Sequence, residues 1–223
     1  MSRASLIVTI DGPSGSGKST ISRLLAHRLK AAYLDTGAMY RAVGLAAQRQ
    51  GVDLDDQEAV GGLIEALDLA LSPGEDDTRV LLNGEDVSLA IRTPEMGMMA
   101  SRVSAIGAVR QRLTRLQREL AKNQAVVAEG RDTGTVVFPQ AAHKFYLVAN
   151  PEERARRRTA QLVEKGMRAD YQEILSQIVE RDHQDSARQL APLQPAPEAV
   201  RIDSSALSIG QVVDLMLATI NHP

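Results

Sequence analysis

The sequence predicts an α/β protein built on a parallel β-sheet wound with helices on both faces. Three observations point there. Short apolar runs near residues 6, 31, 125, 144 and 199 alternate with amphipathic helical stretches, the order that parallel strands joined by crossover helices require. The first run leads directly into a glycine-rich loop and then a helix pattern. Between about 68 and 90 the rhythm changes to short runs around an Asn83-Gly84 pair, which marks a small antiparallel insert.

The elements follow in chain order. Residues 6–10 are continuously apolar and end at Asp11, as a fully buried strand reads. Ile21, Leu24, Leu25 and Leu29 recur on one face of the helix after the glycines. Residues 31–34 form a second strand ending at Asp35, Thr36-Gly37 a loop, and a helix then runs to about Arg49. Asp55, with Glu58 three residues on, predicts a capped helix start. Residues 68–71, 79–82 and 85–87 read as short strands, with a polar turn over 72–78. Thr93-Pro94 is a helix entry, with a capping hydroxyl and proline at the first turn. A long helix follows Gly107, strands lie at 125–128, 144–149 and 199–203, and Ser208 caps a last amphipathic helix. Residues 191–197, APLQPAP, read as an extended connector.

Composition narrows the function classes. With 223 residues, 43% hydrophobic and 24% charged, the chain has ordinary globular usage. That excludes a disordered, collagen-like or coiled-coil protein. The absence of cysteine excludes a disulfide framework, a zinc–thiolate site and a cysteine nucleophile. It fits a reducing compartment, and a cytoplasmic location is expected. The start of the chain does not read as a signal peptide, and no apolar run approaches the roughly 20 residues that span a bilayer. A net charge of −2 offers no basic field for nucleic acid or a membrane surface, and a monomer is expected. Arginine outnumbers lysine 21 to 5. A coding bias gives the same excess, so position has to decide whether these forks grip phosphate.

Gly12-Pro13-Ser14-Gly15-Ser16-Gly17-Lys18-Ser19, continued by Thr20, fits G-x-x-x-x-G-K-[ST] between a strand and a helix. Backbone N–H groups freed by the glycines turn toward phosphate oxygens, and the helix start adds its positive end. Lys18 is placed to reach the β- and γ-phosphates and Ser19 to bind Mg²⁺. The chain is therefore expected to bind a nucleoside triphosphate on a P-loop NTPase fold. A metal-orienting carboxylate belongs at the end of a neighbouring strand; Glu129, Asp35 and Asp11 all qualify, with Glu129 favoured, acting through water. The guanine-reading N-K-x-D motif is absent.

Arg41, Arg131 and Arg188 fall just beyond predicted strand or helix ends, where ligands sit on such sheets. Arg181, Asp185 and Arg188 share a helix face by their spacing, and so do Arg154, Arg157 and Arg158. An exposed ion pair or a solvated face explains either set. The functional reading of the second set is a short helical lid, at about 151–170, closing arginines over a transferring phosphoryl group.

Five segments carry a family resemblance: IDGPSGSGKST at 10–20, LDTGAMYR at 34–41, NGEDVSLAIRTPEM at 83–96, GRDTGTVVFP at 130–139 and ERDHQDSARQLAPL at 180–193. The chain resembles the bacterial cytidylate kinases, nucleoside monophosphate kinases, over nearly its whole length. The resemblance implies a kinase core of 1–61 and 101–223 around a five-stranded parallel sheet, with a monophosphate-binding insert at 62–100. It implies transfer of the γ-phosphoryl group of ATP, with Mg²⁺, to CMP or dCMP. It implies that Arg41, Arg131 and Arg188 hold the acceptor phosphate, and that Ser101, Arg110 and Asp132 read cytosine, with Thr36 nearby. Arg181 and Asp185 would hold the sugar, and Arg154, Arg157 and Arg158 the lid. Asp132 can accept from the amino group that uracil lacks. Thr36 stands where serine is frequent, Glu129 where some members have aspartate, Thr133 where an apolar residue is usual and Gln140 where aspartate is common. Another acceptor, such as AMP, UMP or shikimate, and a catalytically silent nucleotide-binding regulator are the competing readings.

Overall fold

The computed structural model describes residues 6–73, 78–164 and 166–221. The elements are β1 (Ile7–Asp11), α1 (Lys18–Leu29), β2 (Ala32–Asp35), α2 (Thr36–Gln50), α3 (Gln57–Ala66), β3 (Leu69–Pro73), β4 (Thr78–Leu82), β5 (Glu85–Asp86), α4 (Pro94–Val103), α5 (Gly107–Leu120), β6 (Val126–Gly130), β7 (His143–Val148), α6 (Pro151–Glu164), α7 (Tyr171–Ala187), β8 (Val200–Asp203) and α8 (Ile209–Asn221). Five strands pair in parallel in the order β2-β6-β1-β7-β8. All five therefore end at one edge, and that edge holds Asp11, Asp35 and Glu129.

Side-chain alternation assigns the two faces of the sheet. Val8, Ile10, Val127, Phe145, Leu147 and Ile202 pack against Ile21 and Leu25 of α1 and Val212, Val213 and Met216 of α8. Leu34, Val126 and Ala128 face the other way, onto a cluster built by α2, α3, α4 and α5. Burying a side chain such as Phe145 or Leu113 stabilises the fold by about 1.5–3 kcal/mol. The antiparallel sheet β3-β4-β5 adds Leu69, Val80 and Leu82 to that second cluster, so the insert shares its core with the main sheet. It also covers the free edge of β2, where Thr78 Oγ1 donates to the Tyr33 carbonyl at 2.7 Å.

Several local expectations are corrected. Thr36-Gly37 is the first turn of α2, not a loop, because the Asp35 carboxylate accepts from Ala38 N and caps the helix there. Asp56, not Asp55, caps α3, accepting from Glu58 N and Ala59 N. The turn expected at 72–78 is shorter, since β3 runs to Pro73 and β4 starts at Thr78; its remaining residues lie outside the described ones. Thr133–Val137 forms a tight π-turn that no periodicity announced. It exists because Asp11 draws in the backbone of Thr133 and Gly134 from β1.

Gly12 shows why the loop after β1 needs glycine. Its φ is +149°, and a Cβ there would stand 2.0 Å from the Leu147 carbonyl oxygen. Gly12→Ala is expected to destabilise the fold by at least about 3 kcal/mol, combining strain with a backbone clash. A Tm within 2 °C of the parent would refute that close approach.

Candidate active site

The glycine-rich loop wraps its own lysine. Lys18 Nζ donates to the Pro13 carbonyl at 2.6 Å and lies 3.4 Å from Ser16 Oγ, which donates to the same carbonyl at 3.0 Å. Gly17 sits at φ +91° and no side chain caps α1, so the first-turn N–H groups are open toward the loop. Ser19 and Thr20 are exposed on that turn. Burial, and then the charge of Arg131, push the Lys18 ammonium down to about 7.

A proton count tests this. With its proton held less tightly, Lys18 is partly neutral in the free protein near pH 7, whereas a bound triphosphate holds the ammonium charged. Lys18 is therefore expected to take up a proton on nucleotide binding at pH 7, an uptake that Lys18→Met removes. Binding enthalpies in buffers of different ionisation enthalpy measure it. The same buffer dependence in the parent and in Lys18→Met would refute the lowered lysine.

The three strand-end carboxylates differ in what occupies them. Asp11 points to the α2 face and accepts from Thr133 N, Thr133 Oγ1 and Gly134 N; burial still pushes it up to about 6. Asp35 is taken by Ala38 N and by Arg41 at 2.8 Å. Glu129 follows Val127 onto the α1 face. Its Oε1 accepts from the Tyr33 hydroxyl, and the Ser19 hydroxyl lies close enough to favour the charged form of this carboxylate. Its Oε2 is buried with no partner. Burial, and then the neighbouring Asp35, raise its affinity for a proton. Among the described residues no cluster of three or more acidic or histidine ligands exists to enclose a metal. Mg²⁺ carried by phosphates needs only one or two protein oxygens, and Ser19 with Glu129 Oε2 fits that donor set.

Four arginines converge beside Lys18. Arg131 Nε donates to Asp185 Oδ2 at 2.8 Å, and Arg188 lies 3.6 Å from Asp185 Oδ1. Burial tends to lower the Arg131 pKa, but Asp185 outweighs it and raises the value. Burial would raise Asp185, and Arg131 outweighs it in the other direction. Arg181 is pushed down to about 10, first by burial and then by Arg131, with Arg41 and Arg188 adding to it. Among the described residues Arg41 Nε, Arg181 Nε and Arg188 Nη2 are buried donors with no hydrogen-bond partner. An unmet buried donor costs about 1–3 kcal/mol, so three of them on neighbouring arginines suit an anionic ligand.

Ser104 ties this group to a second one. Its hydroxyl accepts from Arg188 Nη1 at 2.9 Å, and its carbonyl accepts from Arg110 Nη1 at 3.2 Å. Arg110 is 7% exposed, forms a buried ion pair with Asp132 and lies 5.9 Å from the centre of the Tyr40 ring. Ser101 is on α4, and its carbonyl accepts from Ser104 Oγ at 2.8 Å. Thr36 is buried and donates to the Glu129 carbonyl at 2.7 Å. Its hydroxyl proton is thus committed to β6, while its oxygen can still accept.

The three arginines of α6 do not act alike. Arg154 is 2% exposed, and bonds Ala149 O at 2.9 Å, Ser14 O at 3.0 Å and both oxygens of Asp182 on α7. Arg157 bonds Glu153 and the Ser204 carbonyl beyond β8. Arg158 has no ion pair among the described residues. Arg154 therefore anchors α6 to the phosphate loop and to α7.

A family model described as cytidylate kinase matches residues 8–222. The chain belongs to the cytidylate kinase family. It is 48% identical to a cytidylate kinase of Citrifermentans bemidjiense over 97% of this chain and 93% of that one. It is 50% identical to one of Geobacter sulfurreducens over 96% and 92%. A solved structure of an uncharacterized protein from Eubacterium ventriosum, 9% identical, overlays with a TM-score of 0.50 over 98% of this chain and 99% of that one. At that identity it speaks for the fold alone. The protein is accordingly a kinase of the cytidylate kinase family.

Sequence reasoning missed Tyr33, Ser104, Asp182 and Ser204 as members of the site. Ser204, whose hydroxyl donates to the Ser16 carbonyl at 3.1 Å, follows a predicted strand end and could have been flagged there. Asp182 stands inside the 180–193 segment without having been singled out, whereas Tyr33 within β2 and Ser104 at the C-terminal end of α4 belong to no motif.

Proposed function

We propose that the protein transfers the γ-phosphoryl group of ATP to CMP or dCMP, giving ADP and CDP or dCDP. The convergence of Lys18, Arg41, Arg131, Arg181 and Arg188 on one space carries this reading. Asp185 is the counter-charge of Arg131, Arg181 and Arg188 and Asp35 that of Arg41, while Arg131 and Arg181 still press on Lys18; phosphate chains between these cations relieve that repulsion. Gly12 to Thr20 hold the triphosphate, with Lys18 on its β- and γ-phosphates. Arg41, Arg131 and Arg188 hold the acceptor phosphate, and Arg181 and Asp185 the sugar. Ser101, Arg110 and Asp132 read the base, with Thr36 supporting the site through β6. Arg154, Arg157 and Arg158 line the donor side.

No covalent intermediate is needed. A phosphate oxygen of the acceptor attacks the γ-phosphorus in line, and the bond to the β-bridging oxygen breaks as ADP leaves. Lys18 and Arg131 gain most as charge moves onto the transferring oxygens. Ser19, and Glu129 directly or through water, would hold Mg²⁺, which neutralises β- and γ-oxygen charge when bound with ATP. Among the described residues no helix is long and apolar enough to cross a membrane. A monomer working in the cytoplasm, without nucleic acid or membrane partners, completes the proposal.

ADP formation measured with Mg·ATP and CMP, dCMP, UMP, dUMP, AMP or GMP tests it. Turnover confined largely to CMP and dCMP is expected. Equal turnover with UMP or AMP would change the acceptor, and no turnover with any would leave a nucleotide-binding regulator. Arg131→Ala is expected to lower kcat/KM for CMP by about 10²-fold. Asp185 keeps Arg188 and Arg181 as neighbours, so the variant should remain folded. An unchanged kcat/KM would remove Arg131 from the role.

A further inference from the structure

We propose that Tyr33 is a positioning residue for Glu129: its hydroxyl pins one carboxylate oxygen so that the other stays turned toward Ser19 and the phosphate loop. The inference rests on the assignment of Glu129 to the Mg·ATP side of the proposed kinase site. The placement comes from sheet register. In the parallel β2–β6 pair, Tyr33 lies opposite Val127 and Asp35 opposite Glu129. Val127 faces α1, so Tyr33 and Glu129 stand on that same face, one step apart along neighbouring strands. Tyr33 packs against the α1-side core, and its phenol reaches Glu129 Oε1. Its backbone carbonyl is held from outside by Thr78 Oγ1 at 2.7 Å.

The carboxylate needs such a partner. Asp11 and Asp35 each have their oxygens occupied, whereas Glu129 Oε2 is buried with none. Glutamate has one more rotatable bond than aspartate, and the Lys18 ammonium is a nearby opposite charge. Without the phenol, no hydrogen bond among the described residues holds Glu129 Oε1, and the carboxylate is free to turn onto Lys18. That would take the cation from the phosphates and remove the oxygen set aside for Mg²⁺. Outer partners that orient a ligating carboxylate act in this way, and a group already in place loses less freedom when the nucleotide arrives.

The test uses ATP binding, which needs no acceptor. Calorimetry gives the ATP Kd with Mg²⁺ and with EDTA for the parent, Tyr33→Phe, Glu129→Gln and the double variant, and Tm monitors folding. The ratio of the two Kd values is the affinity gained from Mg²⁺. Tyr33→Phe keeps the ring and is expected to reduce that gain about tenfold, the lower end for losing an outer partner. Glu129→Gln should reduce it at least as far, and the double variant no further. An unchanged gain in Tyr33→Phe or in Glu129→Gln would overturn the proposal. So would a further loss in the double variant, or a drop in ATP affinity equal with and without Mg²⁺. If instead the parent fails to phosphorylate CMP, the acceptor reading fails while these ratios still decide the role of Tyr33.

Discussion

Lys18→Met is expected to lower kcat by about 10³-fold or more while leaving the protein folded. Methionine keeps most of the apolar stem and removes the ammonium. The loss follows from charge placement, because phosphoryl transfer is accelerated by neutralising the oxygens of the moving group, and one such donor accounts for about 10²–10³ by itself. Lys18 stands where that charge forms, beside Arg131 and at the first turn of α1. Stability should move the other way. The folded pKa is lowered to about 7 from 10.5, so at pH 7 the unfolded chain holds the proton more tightly. The charge therefore opposes folding below about pH 10, in full below pH 7, and the opposition fades as pH rises between them. Removing it should leave Tm at or above that of the parent, read by thermal melts at pH 7. A variant with kcat within tenfold of the parent would break the phosphate-loop assignment.

Asp132→Asn is expected to collapse the preference for cytosine. A carboxylate accepts from the cytosine amino group, and a hydrogen bond to a charged partner is worth about 1.5–3 kcal/mol, or roughly 10–100-fold. The amide can instead donate to the carbonyl that uracil carries at that position. The ratio of kcat/KM for CMP to that for UMP should fall by about 10²-fold, with CMP losing and UMP holding or gaining. Asp132 also forms the buried pair with Arg110, and Arg110 keeps the Ser104 carbonyl at 3.2 Å and the Tyr40 ring at 5.9 Å. The variant should lose some stability yet stay folded. An equal fall for both acceptors would assign Asp132 to holding Arg110 and not to reading the base.

The contrast between these residues and those the sequence did not reveal is a contrast of range. Lys18 and Ser19 belong to a motif whose function depends on neighbours a few residues away, so spacing was enough to find them. The same holds for Thr93 capping α4 and Ser208 capping α8. The sequence points to Asp55 as the cap of α3, one residue before the Asp56 that caps it, because two adjacent aspartates offer the same local chemistry. Thr36-Gly37 reads as a loop in the sequence because glycine at the second position weakens the helical signal, and the Asp35 cap fixes the first turn there.

The choice among Asp11, Asp35 and Glu129 could not be made from the chain alone. All three end predicted strands, and only pairing shows that Asp11 faces the turn at 133–134 while Glu129 faces α1. Likewise the face shared by Arg154, Arg157 and Arg158 was correct as helical spacing. Yet Arg154 is fastened to Ser14 and to Asp182, contacts spanning 140 and 28 residues.

By itself the sequence determined the alternating α/β order, the phosphate loop and, through its motifs, the family. These depend on local periodicity and on residue types at short spacing. The tertiary structure decided which carboxylate keeps a free oxygen, which arginines gather around Asp185, and which hydroxyls hold them. Those outcomes depend on strand register and on burial. Parity in a parallel sheet sends neighbouring residues to opposite faces, and the low-dielectric interior makes each unpaired group costly, so only the folded chain shows which groups await a ligand.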